Sequence, residues 1–318
     1  MRFCRLFWLA QIFCILYATC SAEAAQPQEL RQVRLQLKWT HQFQFAGYYA
    51  AKAKGYYAEA GIDAVILEGR PDISPTTSVL EGKADFGISN SSLLIERSRG
   101  KPVVALAAVF QHSPYIIMAR QGANIASPRD LVGKTMMVEE HADELLAYLH
   151  AEKVPPNSLK IIPHSGRVIE IGRGQVDAMT AYSTLEPYLM HKQGTPFRVF
   201  SPRSSDIDFY GDLLFTTEDL LKRDPALAGA FRKASLKGWR YALDHQSEII
   251  DLMIGSYAPG LDRGLLEFEA KQTALMIAAD IIEIGFMSEN RWRKIADGFA
   301  AAGLMPANFS LKGFLLPQ

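Results

Sequence analysis

The chain has 318 residues, and its 34 lysines and arginines balance its 34 aspartates and glutamates. A chain without net charge has no bulk field to attract nucleic acid or an anionic membrane, so any partner must be recognised locally. The three cysteines, Cys4, Cys14 and Cys20, all precede residue 25, which excludes disulfides, cysteine nucleophiles and thiolate metal sites from the rest of the chain.

The first 25 residues have the pattern of a signal peptide. Arg2 and Arg5 supply positive charge, residues 6–17 form a mostly apolar run, and residues 22–24 offer a small-x-small cleavage site. The apolar run is too short to span a bilayer comfortably, and the residues before Cys20 are a poor context for lipid attachment. We therefore expect residues 1–25 to be removed and the mature protein to lie in the periplasm without a lipid tether.

Strands and helices alternate along the next part of the chain. Apolar periodicity predicts a strand at 33–38, a helix at 46–60, a strand at 62–67 and further strands at 84–88 and 103–110. This alternation is typical of βαβ units and predicts a mainly parallel sheet. Gly47 lies inside the first predicted helix, where glycine lowers helix stability by about 1 kcal/mol relative to alanine. We therefore expect another group to approach the backbone closely at this position.

The alternation starts again after Pro114 and then gives way to helices. The pattern predicts strands at 134–139, 159–162 and 176–179, with helices at 141–152, 167–173 and 185–192. From about residue 219 onward, helical spacing predicts helices at 220–244, 247–257, 265–284 and 289–302.

Residues 82–93 and 174–185 repeat one pattern about 92 residues apart. Each copy has a glycine turn, a short apolar run and a small polar cluster, which predicts a strand, a loop and the start of a helix. Ligands of α/β proteins sit at such junctions, so two copies suggest two lobes that face one cleft. The alternative is that Ser91 and Ser183 merely cap helices.

The expected fold is therefore α/β with two lobes, a hinge and a helical C-terminal segment. Residues 30–115 and 212–318 would form lobe I, and residues 116–211 would form lobe II. Two lobes of this kind close on a ligand by a hinge motion. A single large α/β domain is the alternative, and the repeat favours two lobes.

Candidate ligand-binding residues come from the ends of the predicted strands and the segments that follow them. They are Trp39, Gln44, Phe45, Asn90, Ser91, Gln111, His112, Tyr182, Glu186, Asp208 and Tyr210. Trp39 and Phe45 would stack on a flat ring, or else both are core aromatics. Asn90 and Ser91 would supply polar contacts.

The later candidates follow the second copy of the repeat and the crossings between the lobes. Glu186 would accept hydrogen bonds from the edge of an amino-heterocycle, or it is only a first-turn charge favoured by the helix dipole. Gln111 and His112 either line the cleft or face solvent at the hinge. Asp208 and Tyr210 either form a wall opposite Trp39 or belong to a surface loop.

Several catalytic patterns do not occur in the sequence. It contains no glycine-rich phosphate loop with a lysine, no paired-histidine zinc helix and no nucleophile elbow. The seven histidines are scattered without ligand spacing. We therefore expect no cofactor, no metal and no catalytic activity.

The residues around Trp39 also carry a family resemblance. Trp39 followed by residues 45–52 and 55–63 resembles the opening of thiamine-pyrimidine-synthase-like and sulfonate-binding-like proteins, which have the type II periplasmic binding protein fold. The likeness continues through residues 82–90, 174–187 and 207–218. It implies a monomeric binding protein that delivers a small molecule to an ABC permease at the inner membrane, with aminopyrimidine precursors of thiamine as the best-known cargo of the closest branch.

The resemblance also leaves two other functions open. One branch of the family is an enzyme that makes the thiamine pyrimidine from pyridoxal phosphate and one of its own histidines, using iron. The lysine of that enzyme corresponds to a position near Ser89 in this chain, and its histidine corresponds to a position near Leu93. Its cysteine cluster corresponds to residues 206–211, which contain no cysteine. Similar domains also serve as extracellular sensor modules, but this sequence shows no effector domain, which favours transport.

Overall fold

The computed structural model describes residues 29–70, 72–139 and 142–316. The expected signal peptide, residues 1–25, lies outside the described residues. Within the described ranges, no helix combines the length and the apolar character that crossing a membrane requires.

Ten strands of the described residues form two five-stranded sheets. They are β1 (Arg31–Gln36), β2 (Ile62–Leu67), β3 (Phe86–Ser89), β4 (Val103–Ala108), β5 (Tyr115–Arg120), β6 (Thr135–Val138), β7 (Lys160–Pro163), β8 (Ala178–Tyr182), β9 (Phe197–Phe200) and β10 (Leu213–Thr217). The first sheet has the order β2-β1-β3-β10-β4, and the second has the order β7-β6-β8-β5-β9. The expected α/β organisation with two sheets is confirmed.

Three neighbouring strands in each sheet are parallel, as predicted. β1 pairs in parallel with β2 and β3, and β6 pairs in parallel with β7 and β8. β5 and β10 run antiparallel to both of their neighbours. Each of these two strands follows a crossing of the chain between the sheets, so the antiparallel strands mark where the chain changes sheet.

Helices cover both sheets and fill the C-terminal part of the chain. They are α1 (Ala46–Ala53), α2 (Tyr56–Glu59), α3 (Pro75–Leu80), α4 (Leu93–Ser98), α5 (Asp143–Ala151), α6 (Ile169–Gly172), α7 (Glu186–Lys192), α8 (Glu218–Arg223), α9 (Pro225–Asp244), α10 (Gln246–Ser256), α11 (Arg263–Ile277) and α12 (Glu289–Ala301). A short 3-10 turn at Phe43–Phe45 precedes α1.

Three predicted helices split or end several residues early in the structure. The helix expected at 46–60 breaks at Gly55, which has a left-handed φ of 75°. The helix expected at 220–244 divides at Asp224, whose side chain caps α9 immediately before Pro225. The helix expected at 265–284 ends at 277, because Ala278 adopts a left-handed φ of 53°.

Asp85 and Asp177, which occupy corresponding positions in the two copies of the repeat, hold neighbouring parallel strands together. Asp85 accepts a hydrogen bond from the Arg34 amide at 2.8 Å, and Asp177 accepts one from the Thr135 amide at 2.9 Å. Each aspartate thus satisfies a backbone donor of the adjacent strand just before its own strand begins. Ser91 does not cap α4; its hydroxyl donates to the Tyr210 carbonyl at 2.8 Å instead.

The first sheet is covered by a close crossing of α1 and α9. A Cβ atom on Gly47 would lie 2.2 Å from Cγ of Trp239, and one on Gly238 would lie 2.1 Å from the Gly47 carbonyl oxygen. Glycine at both positions lets the two helices approach each other and bury Trp239 completely. The close approach predicted at Gly47 is therefore made by α9.

Candidate functional site

A cavity of about 400 Å³ lies between the two sheets. Its walls come from the residues at or beyond the carboxyl ends of β1, β2 and β3 on one side, including residues 72–76 that lead into α3, and from the carboxyl ends of β6, β7 and β8 on the other. Parallel strands end at the same edge of a sheet, so side chains from several loops converge there. The repeat seen in the sequence supplies one wall from each copy, at residues 88–90 and 182–186.

Five of the eleven candidate residues line this cavity: Trp39, Gln44, Asn90, Tyr182 and Glu186. Trp39 follows β1 and is partly buried, whereas Gln44 lies in the 3-10 turn. Asn90 follows β3, and its side-chain oxygen accepts a hydrogen bond from the Ser92 amide at 2.9 Å. Tyr182 ends β8 and Glu186 begins α7, so these two come from the opposite wall.

Three other candidates are buried outside the cavity lining. Phe45 is fully buried in the apolar core beneath α1. Ser91 is equally buried, and its amide donates to a carboxylate oxygen of Glu144 at 3.2 Å. The amide nitrogen of Gln111 donates to the carbonyl oxygens of Ala108 and Phe286.

The remaining three candidates form a polar cluster at the crossings between the sheets. Nδ1 of His112 lies 3.0 Å from a carboxylate oxygen of Asp208, which also pairs with Arg291 at 2.9 Å. The Arg291 guanidinium lies 4.1 Å from the ring centre of Tyr210, and Trp292 lies against the same tyrosine. Tyr210 is 1% exposed, so its ring is not available to stack on a ligand.

Lys38 is a lining residue that the sequence reasoning missed. Its Nζ donates to the hydroxyl of Tyr182 at 2.5 Å and forms an ion pair with Asp212, also at 2.5 Å. It thereby connects the end of β1 in the first sheet with the end of β8 in the second. The only signal in the sequence is its position immediately before Trp39, at the end of a predicted strand.

Two carboxyl groups line the wall formed by the second sheet. Glu186 accepts the Tyr182 amide at 2.7 Å, and burial together with repulsion from Glu139 raises the pKa of Glu186 to about 8. Glu139 accepts the hydroxyl of Tyr115 at 3.2 Å, and burial raises its pKa as well. Both carboxyl groups can accept hydrogen bonds from a ligand, because neither has a basic side chain within 4 Å among the described residues.

Aromatic rings and one imidazole complete that wall. The rings of Tyr115 and Tyr182 meet edge to face with their centres 4.6 Å apart. Nδ1 of His164 accepts the Gly166 amide at 2.9 Å, and its Nε2 lies 3.0 Å from the Thr180 carbonyl oxygen. One nitrogen therefore accepts while the other donates, which is the pattern of a neutral imidazole.

Two further buried carboxyls hold the lining segments in place. Glu144 of α5 accepts hydrogen bonds from the Ser91 amide and from the hydroxyl of Ser113, and burial raises its pKa to about 8. Glu269 of α11 accepts the Phe43 amide at 2.8 Å, at the start of the turn that carries Gln44. Both act behind the cavity wall rather than in the lining itself.

Known proteins resemble this chain along most of its length. A riboflavin-binding protein of Chloroflexus aurantiacus is 28% identical over 304 residues, which cover 90% of this chain and 85% of that protein. A formylaminopyrimidine-binding protein of Halalkalibacterium halodurans is 23% identical over 256 residues, which cover 77% of each chain. Both relatives are named for the small molecules that they bind.

Solved structures share the fold at lower sequence identity. The periplasmic aliphatic sulphonate-binding protein of Escherichia coli superposes with a TM-score of 0.67 at 14% identity, covering 89% of this chain and 97% of that chain. This likeness confirms the type II periplasmic binding protein fold. A family model described as NMT1/THI5 like matches residues 42–249. The match spans more than half of the sequence, and the chain accordingly belongs to the NMT1/THI5-like family.

Proposed function

We propose that this protein is the substrate-binding component of an ABC importer. Its ligand would be a small, flat heterocycle with N–H donors, with an aminopyrimidine as the first candidate. One observation carries the proposal: the cavity between the sheets combines the rings of Trp39 and Tyr182 with the carboxyl groups of Glu139 and Glu186. Rings offer stacking surfaces, and carboxyl groups accept N–H bonds from the edge of the ligand.

The size and the composition of the cavity suit such a ligand. A volume of about 400 Å³ lies within the range of small-molecule sites, which are largely apolar with a few convergent polar groups. The relatives named for riboflavin and for a formylaminopyrimidine support the same ligand class. Both of those molecules contain a flat nitrogen heterocycle.

The proposed role in transport implies a location, a partner and a movement of the two lobes. The protein would act in the periplasm as a monomer, with an ABC permease as its partner and without catalysis of its own. Residues 30–115 and 212–318 would move as one lobe and residues 116–211 as the other, because the two sheets divide the chain in nearly the same way. Lys38 and Tyr182 would then meet when the lobes close around the ligand.

Calorimetric titration of the mature chain tests the proposal. The probes are the hydroxymethyl-aminopyrimidine of thiamine, riboflavin and ethanesulfonate. We expect one of the two heterocycles to bind, and Trp39→Ala to weaken it by about tenfold to a hundredfold through lost stacking. Above pH 8, where Glu186 is ionised, Glu186→Gln should weaken it by about tenfold or more, because a hydrogen bond to a charged group is lost.

Glu59→Gln is the matched control, since Glu59 lies on the surface in an exposed pair with Lys237. It makes the same chemical change outside the cavity and should leave the dissociation constant unchanged. Binding of ethanesulfonate alone, or heterocycle binding that survives both cavity substitutions, would contradict the proposed function.

A further inference from the structure

The cavity offers no free positive charge among the described residues that line it. Its basic side chains are Lys38, Arg70 and His164. Arg70 donates two hydrogen bonds to Asp72, each of 3.1 Å, and both of these side chains are exposed. The hydrogen bonds of His164 fix a neutral imidazole, so Lys38 is the one partly buried cation among the described lining residues, and it already has an acidic partner.

That partner, Asp212, lies behind Lys38 rather than in the cavity lining. The side chain of Asp212 is 2% exposed and that of Lys38 is 13% exposed, and the ion pair spans 2.5 Å. Asp212 has no other basic side chain within 4 Å among the described residues, and no other hydrogen-bond donor reaches its carboxylate there. A buried carboxylate needs such a counter-charge, so the ammonium of Lys38 is committed to it.

We propose that Asp212 sets the charge selectivity of the cavity: by neutralising Lys38, it makes the site accept neutral or cationic heterocycles and reject sulfonates and phosphate esters. The proposal rests on the proposed function, because it concerns the ligand of the same site. Asp212 acts through Lys38 and does not itself touch the ligand. It is therefore a specificity-determining residue that lies outside the cavity lining.

The wall formed by the second sheet strengthens this selectivity. Glu139 and Glu186 face the same cavity without basic partners. An anionic ligand would meet two carboxyl groups, which offer it no positive charge, and a lysine whose charge is already compensated. A ligand with amino groups would instead satisfy the carboxyl oxygens, and it would require no free cation.

Removal of the Asp212 charge should change which ligands bind. In Asp212→Asn, Lys38 keeps its hydrogen bond to Tyr182, but its positive charge is no longer compensated and faces the cavity. An anion could then pair with the ammonium. We expect the affinity for ethanesulfonate to rise by about tenfold or more relative to the unmodified protein, as for a hydrogen bond between charged groups.

Two further variants separate this effect from a general change of charge or structure. Asp244→Asn removes one carboxylate from an exposed position at the end of α9 and should leave ethanesulfonate binding unchanged. Lys38→Met combined with Asp212→Asn removes both charges and should abolish the gain. Calorimetry with ethanesulfonate and with hydroxymethyl-aminopyrimidine gives the ratio of affinities for each protein, a quantity that a purely structural role of Asp212 would not shift toward the anion.

A folded Asp212→Asn protein whose ratio of affinities equals that of the unmodified protein overturns the proposal.

If the variant does not fold, the unmodified protein provides the test, because acid protonates Asp212 in place. Ethanesulfonate affinity should then rise as the pH falls, and Lys38→Met should abolish most of the rise, although Glu139 and Glu186 protonate too. Equal pH dependence in both proteins overturns the proposal. An unmodified protein that binds no heterocycle contradicts the proposed function instead, so the two failures are distinguishable.

Discussion

Glu269 of α11 makes a contribution to stability that depends on pH. Its side chain is 2% exposed, one oxygen accepts the Phe43 amide at 2.8 Å, and the other has no hydrogen-bond partner among the described residues. Burial raises the pKa of this carboxyl from 4.5 to about 8. The folded protein therefore holds the proton more tightly than the unfolded chain. The resulting stabilisation is fully present below about pH 4.5 and is lost as the pH rises through about 8.

Linkage between these two pKa values predicts a loss of about 3 to 4 kcal/mol in the free energy of unfolding between pH 5 and pH 8. Glu269→Gln keeps a carbonyl that can accept the Phe43 amide and removes the ionisation. Urea unfolding of both proteins at the two pH values should show the variant gaining stability relative to the unmodified protein at pH 8. Glu59→Gln, at an exposed position, should show no such trend. A Glu269→Gln effect that is equal at pH 5 and pH 8 would refute the reasoning.

The other predictions concern packing and the contact between the two halves. Gly47→Ala should lower the free energy of unfolding by about 1 to 3 kcal/mol, because the new methyl group overlaps Trp239. Gly229→Ala, in open space on α9, should raise it by up to about 1 kcal/mol, and equal effects in urea unfolding would contradict this account. Asp262, before α11, pairs with Lys192 of α7 outside the cavity lining, and both side chains are exposed. Asp262→Asn should therefore weaken heterocycle binding by less than about fivefold, and a calorimetric loss of about tenfold or more would contradict this account.

The sequence located the cavity because the repeat fixes two strand ends. Trp39 follows β1, Tyr182 ends β8 and Glu186 begins α7. The period of these elements could be read directly, and parallel strands bring such ends to one edge. The local sequence pattern does not predict the direction in which a side chain points where the chain crosses between the sheets. Asp208 and Tyr210 were placed at the right crossing, but they lie in a polar cluster with Arg291 outside the cavity lining.

The charge pair in the cavity could not be predicted from the sequence. Lys38 and Asp212 come together only because β10 returns to the first sheet beside β3, after the whole of the second sheet. The pairing therefore depends on the register of β10 and not on any spacing along the chain. Glu139 presents the same difficulty, since its role depends on which face of the cavity the end of β6 reaches.

The late return of β10 also predicts an order of assembly. β3 and β4 do not pair with each other; β10 lies between them, and its residues are synthesised about a hundred positions after β4 ends. The second sheet, by contrast, uses one uninterrupted stretch from Tyr115 to Phe200. Pairing between distant segments is the slow step in forming a sheet. We therefore expect the half of the molecule that is synthesised first to complete its sheet last, because β3 and β4 lack the strand that joins them until residue 217 has been added.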